Sequence, residues 1–403
     1  MVIIPKYPVK MTVLSSGRAS RGLMTPFSIR RPQETPHSLH LSCDGVGTSM
    51  RHCIVNLASS LRRIGIDASA SIGGPDDDRL TIGPTTMRDP WISIRWNVDT
   101  ESQASGWASR RVLLDVADTW SWATGDRVDR MNSTADMLIL PATSDVHEFK
   151  AAGVDIPISI VPFGVDSEVY HPTTPDWSII ASAEWNVVPP PGTHVFLVAG
   201  MLNARKGVDV ALEAFRLAFG PDDPVAFLVK NSLRGNGTSQ ANLISTKNDG
   251  MMVGLLEEHI DEATMCVLLS TVDTFVSCHH REGFGLMPLQ AMACGTVPIL
   301  TAWDGPLSYA TSRNSILVPP SRIVKTDAIL GFSDGVDWAE IDPSDVARAM
   351  RKMFSDDVED LRTNAIETGR AWSWEASATM MVEAIESRLA RVSRIDGVPP
   401  SDV

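Results

Sequence analysis

The chain has few cysteines and no long apolar run, and each shortage removes a class of protein. Five of its 403 residues are cysteine, an odd number scattered without a CxxC pair, which argues against a disulfide framework or a zinc site. No stretch of eighteen apolar residues occurs, and the longest candidate, residues 265–275, is interrupted by polar side chains. The N-terminus lacks the continuous apolar core of a signal peptide. We therefore expect a protein of the reducing cytoplasm without a transmembrane segment.

Basic residues are also in the minority. The chain contains 35 Lys and Arg against 49 Asp and Glu, a formal net charge of -14. Such a surface repels polyanions, so the balance disfavours nucleic acid as a partner without excluding it. Residues 1–36 are the exception, with six basic residues and one acid. We interpret them as a flexible basic arm; the alternatives are a membrane-touching or targeting role, or an upstream-start artefact with Met11 or Met24 as the true start.

Length and hydrophobic periodicity predict an α/β protein with two domains. A chain with 43% apolar residues can bury a large core if it divides in two. After an apolar run at 39–41, glycines at Gly45 and Gly47 precede helical spacing over 54–61 and strand-like alternation over 66–72. This is a βαβ unit. By itself the glycine loop is weak evidence for a ligand, since plain turn glycines explain it equally well.

A proline-rich segment supplies the strongest linker signal. Residues 189–192 read Pro-Pro-Pro-Gly and follow a stretch of loose composition. A second domain then opens with an apolar strand at 195–198 and a glycine loop that leads to Lys206 and a helix. We place the boundary at this linker, between residues 37–188 and 189–372.

The stretch 277–306 is the most informative part of the chain. Glu282 is followed by Gly283, Phe284 and Gly285, so the backbone can pass close to a ligand before a helix begins. The amide end of a helix attracts anions, phosphate above all. An ordinary loop, helix and buried strand of an α/β protein would show much of this pattern. It would not account for an acid beside a glycine-opened helix start.

This stretch resembles the nucleotide-sugar site of retaining glycosyltransferases of the GT-B fold, family four, whose signature is E-x7-E inside EGFGLxxLEAMACG. Glu282 occupies the first acid position, and Gln290 stands where the second acid is expected. Residues 161–172 and 198–215 fit the same family in the same order, and a weaker match lies near Trp374. The matching segments span most of the chain from about residue 140 to 380.

The resemblance implies two Rossmann-like domains whose parallel sheets face each other across a cleft. Residues 37–188 would form the acceptor side, residues 189–372 would bind the nucleotide sugar, and residues 373–395 would form a helix that crosses back to the first domain. The family's loop at Gly45 and Gly47 lies at the cleft, so these glycines are candidate binding residues.

The resemblance also assigns roles to single residues. The diphosphate would be neutralised by Lys206, assisted by Arg205, while Glu282 would contact the donor sugar or stabilise its developing positive charge. Gln290 would hold the ribose, and Gly283, Phe284 and Gly285 would present backbone amides. No cofactor is implied beyond the nucleotide-diphosphate sugar as donor substrate. With cations and a helix start at the phosphates, we expect a site that needs no metal.

Two positions depart from the family pattern. Relatives carry Arg after the glycine that is Gly200, whereas this chain has Met201, so one phosphate cation is missing from its usual place. Gln290 is a neutral acceptor, which should weaken donor binding by about 1 kcal/mol relative to a carboxylate. No histidine occurs between His52 and His147, so the family's N-terminal cleft histidine has no counterpart.

Other polar and aromatic residues invite functional interpretations of lower priority. The run Asp76–Asp78 is the nearest thing to a metal motif, but it follows a Gly-Gly pair and is better explained as a solvated loop. Tryptophans are frequent over residues 85–130, where core packing competes with a sugar-binding platform. The residues before the acid, His279, His280 and Arg281, are expected at the cleft rim rather than as a catalytic histidine pair.

Three functions remain open at this level. The first is transfer of a hexose-type sugar, with retention, from a nucleotide donor to an unidentified glycan, lipid or small-molecule acceptor. The second is a degenerate GT-B protein that binds nucleotide sugar or a partner without transfer, which the departures at Met201 and Gln290 motivate. The third is a transferase that acts on a polymer such as a glycan, on a membrane lipid or on modified DNA; the acidic balance disfavours DNA.

Overall fold

A computed structural model describes most of the chain from Ser38 to Ile395. The described residues are 38–43, 48–72, 80–82, 91–96, 110–116, 125–200, 203–231, 250–326 and 335–395. Several predicted features lie outside them: the arm at 1–36, Gly45, Gly47, Asp76–Asp78 and Met201.

The first part of the chain forms a seven-stranded sheet. Its strands are β1 (Ser38–Cys43), β2 (Ala68–Ile72), β3 (Leu80–Ile82), β4 (Trp91–Trp96), β5 (Arg110–Leu114), β6 (Met137–Leu140) and β7 (Ile158–Ile160). Their order across the sheet is β3-β2-β1-β4-β5-β6-β7, and every pairing except that of β2 with β3 is parallel. The helices of this part are α1 (Thr48–Arg63), α2 (Gly125–Thr134) and α3 (Ser144–Ala151).

The first βαβ unit agrees with the periodicity of the sequence. Ile54, Leu57 and Leu61 lie on one face of α1 and are fully buried. Parallel strands covered by helices on both faces read as apolar runs, and β6, with the sequence Met-Leu-Ile-Leu, is buried throughout.

The second part forms another seven-stranded sheet. Its strands are β8 (Glu184–Trp185), β9 (His194–Gly200), β10 (Val225–Asn231), β11 (Met252–Leu256), β12 (Thr274–Ser277), β13 (Val297–Thr301) and β14 (Ile316–Val318). The order is β14-β13-β12-β9-β10-β11-β8, with only β8 antiparallel to its neighbour. A short antiparallel hairpin joins β15 (Arg322–Lys325) to β16 (Asp337–Glu340).

Helices cover both faces of the second sheet. They are α4 (Trp177–Ala181), α5 (Val208–Ala218), α6 (Glu262–Thr271), α7 (Leu286–Ala293), α8 (Pro343–Ser355) and α9 (Glu359–Ala371). On one face α5 packs with α8 over Phe196 and Phe227, and on the other face α7 contacts α6 and α9. The chain thus contains two parallel α/β layers, as the sequence predicts.

The chain enters the second sheet before the predicted linker. Strand β8 pairs with β11, and the Trp185 indole N–H donates to the carbonyl of Ile180 at 2.7 Å. The ring of Trp185 lies against Gly254, where a Cβ atom would come within 2.5 Å of it. The first strand of this layer therefore precedes residue 189, and the prolines lie between β8 and β9. The division into domains stays a prediction.

The last helix, α10 (Trp374–Ile395), contacts the first layer. It packs against α1, and the Glu375 carboxylate pairs with Arg63 there. At its start the backbones meet closely, because a Cβ atom on Gly164 would lie 2.3 Å from the carbonyl carbon of Ser373. Trp374 is fully buried beside Phe163.

Candidate active site

The structure brings Lys206, Arg205 and Glu282 together at the carboxyl edge of the second sheet. Lys206 ends a 3-10 turn after β9, and Glu282 follows β12, the parallel neighbour of β9. Adjacent parallel strands deliver the loops that follow them to one edge of a sheet, where ligands commonly bind. The Lys206 Nζ lies 2.5 Å from Glu282 Oε2, and Arg205 Nη1 lies 3.1 Å from the same oxygen.

The two cations keep Glu282 ionised. Burial alone would raise the pKa of this carboxyl group, since it penalises the charged form. The opposing charges of Lys206 and Arg205, with a smaller contribution from His279, lower its pKa to about 2. A permanently negative side chain at this position can stabilise positive charge that develops on a neighbouring group.

Arg205 is more buried than the predicted phosphate role requires. Its side chain is 7% exposed, and Nη1 donates to the backbone carbonyl of Arg281 at 3.0 Å as well as to Glu282. In this arrangement the guanidinium acts on Glu282 and on the loop that carries it. Its assistance to Lys206 at a phosphate stays a prediction.

Gly207 allows the two loops to approach each other. Its φ of 57° is left-handed, and a Cβ atom there would lie 1.9 Å from the carbonyl oxygen of Cys278. Helix α5 begins at the next residue, so Lys206 stands at the amide end of that helix. The close contact fixes Lys206 beside the loop after β12.

The segment from Gly283 to Gly285 leads into α7. Gly285 has a φ of 84°, and its carbonyl accepts a hydrogen bond from the Tyr309 hydroxyl at 2.5 Å. The Phe284 ring is buried 5.3 Å from that of Phe163, so this side chain belongs to the core. No acceptor within the described part of the chain takes the amides of Gly283, Phe284 and Gly285. These donors suit an anion.

Gln290 lies within α7 and is 4% exposed. Its burial agrees with a helix face that packs on the sheet, next to Leu289. The contact predicted between Gln290 and a ribose stays a prediction.

The two histidines before the acid have structural partners, and the expectation that His279 lies at a rim is wrong. His279 is fully buried; its Nε2–H donates to the Trp303 carbonyl at 3.0 Å, and Nδ1 lies 3.1 Å from the Ser277 hydroxyl. Burial lowers the pKa of His279 to about 4, so the ring is neutral. His280 stacks on Trp338 with 4.7 Å between ring centroids.

Arg281 is likewise buried, with 1% of its surface exposed, and not at a rim. Its guanidinium forms a two-pronged ion pair with Glu148 of α3, with 2.6 Å between Nη1 and Oε1. No local sequence pattern predicts this ion pair, because Arg281 and Glu148 are 133 residues apart in the chain.

Asp304, after β13, holds the backbone of the acid. Its Oδ2 accepts a hydrogen bond from the Glu282 amide at 3.0 Å. It adopts a left-handed φ of 64°, which is unusual for a residue with a side chain. Burial raises the pKa of Asp304 to about 6, although Arg281 nearby opposes the shift. Sequence reasoning missed this residue because its contact depends on the turn and not on a motif.

Within the ranges given above, no three His, Cys, Asp or Glu side chains cluster so as to hold a metal ion. None of the helices described there is long and apolar enough to cross a bilayer. All five cysteines are buried and unpaired by disulfides.

The sequence matches a known family. Residues 182–372 fit the family described as "Glycosyl transferases group 1". The chain is 24% identical over 336 residues to a glycogen synthase of Mycobacterium tuberculosis, covering 80% of this chain and 70% of that protein. It is also 24% identical over 261 residues to a D-inositol 3-phosphate glycosyltransferase of Jonesia denitrificans, covering 62% of this chain and 56% of that protein.

Solved structures share the fold. A sucrose-phosphate synthase from Thermosynechococcus elongatus superposes with a TM-score of 0.66 at 17% identity, covering 88% of this chain and 100% of that one. The Anabaena protein HepE, in complex with UDP and glucose, gives a TM-score of 0.58 at 15% identity, covering 87% and 100%. The chain therefore has the GT-B fold, and its residues 182–372 match the group 1 glycosyltransferases.

Proposed function

We propose that this protein transfers a hexose-type sugar, with retention of configuration and without a metal ion, from a nucleoside-diphosphate sugar to an acceptor hydroxyl. The observation that carries the proposal is the contact of Lys206 and Glu282 beside the amide-lined start of α7. It combines a cation, a buried anion and free amide donors at one edge of the sheet.

In this proposal, Lys206 and the amides of Gly283, Phe284 and Gly285 receive the diphosphate. Negative charge grows on the leaving phosphate as the glycosidic bond breaks, and preorganised donors stabilise it. Glu282 stabilises the positive charge on the sugar, and Gln290 holds the ribose. The leaving phosphate takes the acceptor's proton on the same face of the sugar, so the product retains the anomeric configuration.

The ionised state of Glu282 supports this assignment. With a pKa of about 2, the side chain cannot serve as a general acid near neutral pH, whereas a fixed negative charge can act throughout that range. Lys206 and Arg205 both contact the same oxygen of Glu282, so its negative charge also compensates two neighbouring cations.

A panel of nucleotide sugars tests the proposal. UDP-glucose is the first donor to try, because the Anabaena structure contains UDP and glucose. Glycogen and D-inositol 3-phosphate are the first acceptors, because the names of two relatives carry them. Mass spectrometry should detect a glycosylated product or slow donor hydrolysis, and both should disappear in Glu282→Gln. Addition of EDTA should leave the rate unchanged, and NMR of the product should show the donor's anomeric configuration.

The same experiment separates the enzyme from a binding protein. If calorimetry detects tight binding of a nucleotide sugar while no donor is transferred or hydrolysed, the degenerate alternative is correct. That alternative draws on Gln290, which lacks the charge of the family's second acid.

A further inference from the structure

The Arg281–Glu148 pair joins the two layers of the fold next to the acid. Arg281 lies in the loop after β12 of the second sheet, and Glu148 lies on α3 beside the first sheet. Nη1 donates to Oε1 at 2.6 Å, and Nη2 contacts Oε2. Two parallel hydrogen bonds from a planar guanidinium fix its orientation as well as its position.

Arg281 is connected to both ends of Glu282. Its carbonyl accepts the hydrogen bond of Arg205 Nη1, which also binds the Glu282 carboxylate. Its Nε lies 4.0 Å from Asp304 Oδ2, the atom that accepts from the Glu282 amide. The guanidinium therefore lies against the carboxylate that holds the backbone of Glu282, while the carbonyl of the same residue holds Arg205, which orients the Glu282 side chain.

A third contact is made by the guanidinium nitrogen that also binds Glu148. Nη1 also lies 3.3 Å from the carbonyl oxygen of Asp337, at the start of β16. Arg281 is thus anchored by α3, by the turn at Asp304 and by β16, and it has little freedom to move unless Glu148 releases it.

Stability alone is a poor explanation for this pair. A buried ion pair stabilises a fold no better, on average, than apolar side chains of the same volume, because both charges lose their hydration. Orientation is what a forked pair supplies and an apolar contact does not.

We propose that Glu148 is a positioning residue for sugar transfer: through Arg281 it holds Glu282 and the entrance to α7 in the geometry that the donor requires. This inference rests on the proposed function. If Glu148 has this role, the alignment of Glu282 in the second layer depends on α3 of the first layer. Contact between the two layers is then required for turnover.

Hydrogen exchange tests the positioning without any donor. In Glu148→Gln, a peptide covering residues 278–287 should exchange about tenfold faster than in the wild-type protein. Glu359→Gln serves as the matched control, because Glu359 makes an exposed ion pair on α9 that is remote in sequence from the acid. An unchanged exchange rate in Glu148→Gln would overturn the proposal. This measurement needs no turnover, so it still tests the positioning role if no donor is found. Failure to find a donor would count against the proposed function and not against the positioning role.

Kinetics separate positioning from stability. We expect Glu148→Gln to lower kcat by about 10- to 100-fold with little change in KM for the donor, because misalignment acts on the reacting geometry. Glu148→Asp, which keeps the charge, should recover part of the loss. The double variant Glu148→Gln, Arg281→Met removes the buried charge that has lost its Glu148 partner, so its melting temperature should rise above that of Glu148→Gln while kcat stays low. If kcat recovers together with the melting temperature, the pair has only a structural role and the proposal is wrong.

Discussion

Lys206 Nζ lies 2.5 Å from Glu282 Oε2, although the two residues are 76 positions apart in the chain. Lys206 follows β9 and Glu282 follows β12, and the direct pairing of these strands brings both to the same edge of the sheet. The carboxylate is shared with Arg205, so two cations balance one anion at this point. A bound diphosphate would compete with Glu282 for Lys206. Substitution of Lys206 therefore tests donor recognition directly.

Replacement of Lys206 by alanine should lower turnover by about 100- to 1000-fold, because a preorganised cation at the leaving phosphate is lost. The measurement is kcat/KM with the donor found in the panel. Lys352→Ala is the control, since Lys352 is an exposed lysine in the last turn of α8. Comparable activity in the two variants would remove Lys206 from the phosphate site.

Replacement of Gly207 by alanine should destabilise the protein by roughly 2–4 kcal/mol, from left-handed strain plus a clash with the Cys278 carbonyl at 1.9 Å. Gly65→Ala isolates the strain, because Gly65 has a φ of 91° with no heavy atom within 4 Å of an added Cβ. That control should cost only about 1–2 kcal/mol. Urea unfolding compares them, and equal losses would show that the loops can separate without cost.

Asp304 gives a pH dependence of known sign. Its folded pKa of about 6 exceeds the reference value of 3.8, so between these values the native state binds more protons than the unfolded state. Its contribution to stability is therefore present below about pH 4 and is lost as the pH rises through 6. This loss of stability amounts to roughly 3 kcal/mol at most in the wild-type protein. It should be absent from Asp304→Asn, which has no carboxyl group to titrate.

The measurement for Asp304 is the change in the free energy of unfolding between pH 4 and pH 6, taken in wild type and variant. His279, whose pKa is lowered to about 4, contributes with the opposite sign in much of the same range, so the difference between proteins is the informative quantity. Identical changes in both proteins would mean that Asp304 does not titrate in this window.

Replacement of Gln290 by glutamate should tighten binding of the donor's nucleoside diphosphate by about fivefold, since a charge-assisted hydrogen bond to the ribose replaces a neutral one. Isothermal titration calorimetry measures the effect, and Gln290→Ala should weaken binding. No gain, or a loss, in the glutamate variant would indicate that the buried position does not face the ribose.

The sequence predicted the fold class because each strand and helix has its own periodicity, as in α1, where Ile54, Leu57 and Leu61 share a face. The sequence also identified Glu282 as a candidate site residue, because the acid and the glycines that follow it are adjacent in the chain. Strand β8 escaped notice, since two residues carry too little pattern to identify a strand.

Contacts between distant segments could not be predicted. Arg281 looked like a surface residue because charged side chains are seldom fully buried, and its partner Glu148 is far away in sequence. The burial of His279 follows from the turn at Trp303, which one sequence cannot reveal. The contacts of such residues are known only once the structure shows how the loops after β12 and β13 lie against each other.

The return of α10 to α1 has a consequence for dissecting the molecule. A polypeptide restricted to the family-matched residues 182–372 would lack Trp374 and Phe163, which pack against one another next to Phe284. Its apolar surface would be open to water, and self-association would be the expected fate of the fragment. Calorimetry of the intact chain should accordingly show the two sheets melting in one transition.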